Sequence, residues 1–139
     1  MHVSEVRILS DANAVLQASD GASASYLFSI SSGGPRVTLR GLVVRGRIVV
    51  DGGELEIDNC TFSNLTTDDN GGALAMTSGD LAVHSTNFVS NHAAQHGGAV
   101  SVSGGRARFE ASNFSNNEAG RDAGALHVSG DASVILENQ

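Results

Sequence analysis

Histidines and carboxylates recur in this chain at a fixed interval: His92 and Glu118 are 26 residues apart, and so are His96 and Asp122. If successive 26-residue segments lie on one another, each imidazole falls beside a carboxylate, a donor set that suits a divalent transition metal. The competing reading is register: complementary neighbours on an exposed edge, each pair worth at most about 1 kcal/mol. Asp68 and Asp69 are adjacent carboxylates of the kind used in acid/base work or calcium binding, although neighbours on a strand point apart. A second acidic group, Glu54, Glu56 and Asp58 together with Asp51, alternates along one segment and offers an outward acidic face to calcium or a sugar. Cys60 shares a column with Thr86 and Ser112 and has no His/Asp grouping to make it a nucleophile, so it is expected as a buried structural thiol. No Gly-x-Ser-x-Gly occurs, and Ser103-Gly104-Gly105-Arg106 opens no helix that a phosphate loop requires. No residue is therefore assigned to catalysis or to a cofactor, and calcium is the one ion considered for the acidic face.

The elements that must position these groups follow from an internal repeat. Gly71-Gly72-Ala73-Leu74 returns as Gly97-Gly98-Ala99-Val100 and as Ala123-Gly124-Ala125-Leu126, while Phe62, Phe88 and Phe114 keep the same interval of 26. Aligned rows give apolar columns: Ile48, Leu74, Val100 and Leu126; then Val50, Met76, Val102 and Val128. A second stretch gives Leu55, Leu81, Ala107 and Ser133, followed by Ile57, Val83, Phe109 and Ile135. Every other position is apolar, which is the period of a strand, and no row offers helical spacing. A row this short cannot enclose a core by itself. Stacking rows about 4.8 Å apart, like residue over like, buries the columns and predicts an all-β parallel solenoid of about five coils.

In such a stack Phe62, Phe88 and Phe114 form an aromatic ladder, worth about 0.5–1.5 kcal/mol per pair beyond burial. Asn91 and Asn117, like Asn87 and Asn113, make amide ladders, and asparagine also tolerates left-handed backbone. Gly72, Gly98 and Gly124 mark a corner where a Cβ would clash or φ is positive. The outward columns Glu54/Asp80/Arg106, Glu56/Ala82/Arg108 and Asp58/His84/Glu110 mix opposite charges. Residues 1–44 are less regular and are expected as short strands, Val6 to Ser10, Ala14 to Ala18, Tyr26 to Ile30 and Val37 to Val44, leading into repeats over 45–139. The last row stops partway, so the open ends are expected to be covered by a protein partner, a homo-oligomer or a parent chain.

Eight basic against 15 acidic residues give a net charge of −7, which argues against a nucleic-acid partner. No apolar run is long enough to insert in a bilayer. The start, Met1-His2-Val3-Ser4-Glu5, has neither the basic beginning nor the apolar stretch of a secretory signal. Asn59, Asn64 and Asn113 each begin a glycosylation sequon that matters only on a secreted chain.

These motifs resemble the right-handed parallel β-helix superfamily with the pectin-lyase-like fold, and within it the polymorphic outer-membrane-protein type of repeat. The residues carrying the resemblance are Gly71 to Leu74, Gly97 to Val100, Phe88-Val-Ser-Asn91 and Phe114-Ser-Asn-Asn117. Ala123 and Leu65 depart from it. The resemblance implies an extracellular or cell-surface adhesion or scaffold segment, whereas relatives with other motifs are polysaccharide lyases and hydrolases. Their Gly-His-Gly and Asn-Thr-Asp signatures are missing here, and the chain contains no lysine. The expectation is a non-enzymatic structural and interaction module presenting stacked turns and flat faces to a protein or glycan. The alternative is a carbohydrate-binding or carbohydrate-active fragment using the acidic face.

Overall fold

Alternating apolar and polar residues produce strands throughout: in a computed structural model, which describes residues 5–17 and 26–137, every regular element is a β-strand. In the irregular N-terminal third these are β1 (Glu5–Gln17), β2 (Tyr26–Ser31) and β3 (Arg36–Arg45). The repeats supply β4 (Arg47–Asp58), β5 (Thr61–Ser63), β6 (Thr66–Thr67), β7 (Leu74–His84), β8 (Asn87–Val89) and β9 (His92–Ala93). They continue with β10 (Val100–Val102), β11 (Arg106–Glu110), β12 (Asn113–Ser115), β13 (Glu118–Ala119), β14 (Leu126–Val128) and β15 (Ser133–Glu137). All the pairings are parallel, in a 12-stranded sheet and a three-stranded sheet ordered β13-β9-β6. The chain therefore winds as a parallel β-solenoid.

The register is that of the repeat. Ile48 pairs with Leu74, Leu74 with Val100 and Val100 with Leu126, each 26 residues on. Phe62, Phe88 and Phe114 are likewise direct partners. Their rings stack with centroids 5.1 and 4.9 Å apart and planes within 11°. Phe109 closes on this ladder, 6.3 Å from Phe88 and 5.7 Å from Phe114. Together with Leu39, Ile48, Ile57, Leu74, Val83 and Val100 these side chains fill the bore.

Four details differ from the sequence reading. The solenoid has about four turns instead of five. The coil that β3 begins closes without a long turn, so Val37 meets Leu55 and Val43 meets Thr61 after only eighteen residues. Second, the last coil steps by 27: Ala107 pairs with Val134 and Phe109 with Leu136, so Ser133 and Ile135 face outward. An added residue in the Ser129–Asp131 turn, where Ala132 N–H donates to Ser129 O, accounts for the slip, because a one-residue shift exchanges the faces of a strand.

Third, the turns expected inside each row are uneven. The strand β7 runs unbroken through Ser78-Gly79-Asp80, whereas Ser103-Gly104-Gly105 separates β10 from β11. Likewise β1 is one strand with a register shift between Leu9 and Ala14, where two were expected. The expected end of the second, Ala18, lies outside the described residues.

Fourth, the left-handed positions are not the amide ladders. Positive φ occurs at Asn59, Ser85 and Ala111 in one column and at Asn64, Ser90 and Asn116 in another. Asn91 and Asn117 instead bond along the axis: Asn91 Nδ2 donates to Asn117 Oδ1 at 3.1 Å and to Phe62 O at 3.1 Å. Asn117 Nδ2 donates to Phe88 O at 2.9 Å, and Leu65 N–H donates to Asn91 Oδ1 at 3.1 Å. Leu65, which departs from the motif, begins this ladder and puts its own side chain into the core.

The glycine pair divides two duties. Gly71 and Gly97 take φ near +69° and +68°, and Ala123 accepts the same conformation at +61°. At Gly98 the requirement is space, since a Cβ would meet the carbonyl oxygens of Gly124 and Glu118. Gly72 is hemmed in the same way by Gly98 O, and Gly124 more loosely by Asn117 O.

Candidate functional site

The outward face of β4, β7, β11 and β15 carries the densest chemistry. Alternation along these strands sends Leu55, Leu81 and Ala107 inward and turns Glu54, Glu56, Asp80, Arg106 and Arg108 outward. The three outward columns anticipated from the repeat are present. Glu54 sits on Asp80 and Asp80 on Arg106, Glu56 on Ala82 and Ala82 on Arg108, and Asp58 on His84 and His84 on Glu110. The preceding strand adds cations that the sequence reading missed, because the eighteen-residue step concealed their register. Arg36 lies beneath Glu54, 3.7 Å from its carboxylate, and 3.0 Å from Glu56. Arg40 stands 3.3 Å from Asp58.

The other carboxylates are engaged in the same manner. Arg106 meets Asp80 at 3.6 Å, Arg108 meets Glu137 at 2.8 Å, and His84 Nδ1 meets Glu110 at 3.3 Å. Asp51 accepts from Thr77 Oγ1 at 2.7 Å. Because Ala82 is small, it leaves a shallow groove of about 240 Å³ between the acidic and basic parts of this face. These groups are exposed and screened, so each pair contributes about 0–1 kcal/mol and acts mainly on register.

The long turn forms a second edge. Thr66, His92 and Glu118 are in register, as expected, through β6, β9 and β13. Asn70, His96 and Asp122 also follow one another, with Asn70 Oδ1 accepting from His96 N–H at 3.0 Å. His96 Nδ1 lies 3.2 Å from Asp122 Oδ2 without the alignment of a hydrogen bond, and its ring stacks on His127 with centroids 4.6 Å apart. His127 was missed as a neighbour of His96 because it belongs to the adjacent strand and not to the turn. Among the described residues no three of His, Cys, Asp and Glu come together in a way that would hold a metal ion. The pairs His92/Glu118 and His96/Asp122 thus lack a third ligand of these types.

Asp68 and Asp69 are exposed on this turn. Asp69 Oδ1 accepts from Asn70 N–H at 2.9 Å, and its charge opposes the burial that lowers the Arg47 pKa from its ordinary value. Arg47 donates to Asn70 O at 2.6 Å and Gly71 O at 2.9 Å, tying the turn to the start of β4. The two aspartates are therefore elements of a braced turn.

Cys60 is buried, as its column implied. Its neighbours form a ladder of small polar side chains: Thr86 Oγ1 accepts from Cys60 N–H at 3.4 Å, and Ser112 Oγ from Thr86 N–H at 3.3 Å. Burial, the largest influence, pushes the Cys60 thiol above its ordinary value, against backbone hydrogen bonds that pull the other way.

Comparison of the chain with protein-family models, with curated proteins and with solved structures found no match in any of the three.

Proposed function

We propose that this protein is a non-enzymatic structural and interaction module, a subunit of a larger assembly that presents stacked turns and flat faces to a protein or glycan. The observation that carries the reading is the commitment of Glu54, Glu56, Asp58 and Asp80 to arginines of adjacent coils. An acid/base pair in a glycosidase needs two carboxyl groups placed across a substrate with distinct protonation behaviour. A ladder of neutralised carboxylates is suited instead to holding a rigid face in register. The Gly-Gly-Ala and Phe-x-x-Asn motifs favour placing the chain with the pectin-lyase-like β-helices and, within them, the polymorphic outer-membrane-protein repeats. On that reading its setting is a cell surface or the extracellular space, with adhesion as its role.

The second reading is carbohydrate binding or cleavage, with calcium as a possible aid, along the groove floored by Ala82 and bordered by Glu54, Glu56 and Asp80. One experiment separates the two. Glycan-array binding is measured beside reducing-sugar and unsaturated-product assays on the same polysaccharides, with and without calcium. The module reading expects binding of a protein or glycan without product. Product formation that Asp68→Ala or Glu56→Gln abolishes would reverse the ranking.

A further inference from the structure

One wall of the solenoid is free of charge. Its strands β5, β8 and β12 with their flanking corners span 59–65, 85–91 and 111–117, and none of these residues is Asp, Glu, Lys, Arg or His. The neighbouring wall carries the arginine and carboxylate columns described above. With Phe62, Phe88 and Phe114 turned inward, alternation sends Thr61, Asn87 and Asn113 outward in one column and Ser63, Val89 and Ser115 in the other. Each place on this grid therefore holds a hydroxyl or an amide, except Val89 at the middle of the second column. The exposed corners add Asn59, Asn64, Ser90 and Asn116. Below, the neutral surface ends at Arg45 on β3.

The grid is rigid. Rows stand about 4.8 Å apart, and stacked phenylalanine rings back them. Asn113 Nδ2 donates to Asn87 Oδ1 at 3.2 Å, which fixes both amides and leaves Asn87 Nδ2 and Asn113 Oδ1 to a ligand.

We propose that this wall is a docking face for a neutral polysaccharide, with one pyranose ring seated on Val89. The proposal rests on the interaction-module reading and names the face and the class of glycan. A pyranose has C–H faces and a rim of hydroxyls. Val89 meets a C–H face, while Ser63, Ser115, Asn87 and Asn113 surround it with donors and acceptors for the rim.

Charge selects the class. A net charge of −7 repels an acidic glycan at a distance, and the rows of this wall hold no arginine to pair a uronate or a sulfate. Neutral hydroxyls ask only for hydrogen bonds, and docking them here strips water from no ion. One ring binds weakly, and a polymer gains by engaging several copies of the chain at once.

The test titrates soluble polysaccharides into the isotope-labelled chain and follows backbone amide shifts by nuclear magnetic resonance. The panel sets neutral glucans, mannans and galactans beside acidic galacturonan and alginate. A neutral member should move the amides of β5, β8 and β12, with an affinity that is the same at low and high salt. Val89→Asp should weaken binding roughly tenfold, and Ser115→Ala roughly threefold, with the β circular-dichroism spectrum retained. The shifts in the unaltered chain locate the site even where a variant fails to fold.

Shifts centred on the Ala82 groove, a preference for acidic polymers, binding that falls with salt, or no binding by any neutral member overturns the proposal. Failure here and failure of the broader reading remain distinct. Binding on another face without product defeats only the docking wall, whereas release of reducing ends from a polysaccharide held on this wall defeats only the module reading.

Discussion

At the residue scale, small side chains in two columns decide how far the structure tolerates chemical change. Cys60 shares its position with Thr86 and Ser112, so a hydroxyl already fits there in the neighbouring coils. Cys60→Ser is expected to fold with a stability change under about 1 kcal/mol. Native Cys60 should react with a thiol reagent only on unfolding. The pH consequence has a definite sign. Because the folded thiol titrates above the unfolded one, its contribution is fully present below the unfolded value, about 8.5, and is lost as pH rises through the folded value. Denaturant midpoints should therefore fall above pH 9 in the wild type and fall less in Cys60→Ser; an identical alkaline decline would remove Cys60 as its cause. Ala111 is held at φ +51° in the column that Asn59 occupies more comfortably at +54°. Ala111→Asn should raise stability by about 0.5–1 kcal/mol, read as a melting point a few degrees higher.

At the scale of elements, the ladders set the cost of damage. Phe88 stacks on Phe62 and Phe114 and meets Phe109 edge-on, so Phe88→Ala removes contacts to three rings and should cost about 3–5 kcal/mol by chemical denaturation. Gly98→Ala drives a Cβ into backbone of the next coil and should cost more than Gly124→Ala, whose surroundings are looser; equal losses would show that conformational freedom, not space, is what Gly98 supplies. Much of this was legible in the chain. The columns through Ile48 and Phe62 repeat with identical or similar residues, and stacking turns that likeness directly into contact. Three things were hidden. The cations Arg36 and Arg40 precede the repeat and join it after a short step that no motif marks. The slip at β15 follows from one extra residue in a turn, invisible while Ser133 and Ile135 still fit a period of two. The pairing of His96 with His127 crosses between walls, and column alignment sees only along the axis.

At the scale of the whole molecule, a solenoid is held together by nearest-neighbour coils, so its resistance to opening should depend on position. Val83, Phe88 and Val100 have a coil on each side and are fully buried, whereas Val128 and Leu136, at the ends of inward columns, are exposed. Amide exchange should be slowest in β7, β8 and β10 and fastest in β1, β14 and β15.

The coil of β3 and β4 travels from Val44 to Ile48 almost directly, yet the next needs the whole stretch from Phe62 to Leu74 to reach the same wall. The outlying three-stranded sheet is thus a flange fastened onto a tube that can close without it. Its length and sequence are open to rewriting by drift or by a designer, while the tube must conserve its pitch. Novel specificity in a molecule built this way would arise at the flange, and what the flange gains in variety costs the spring beneath it little.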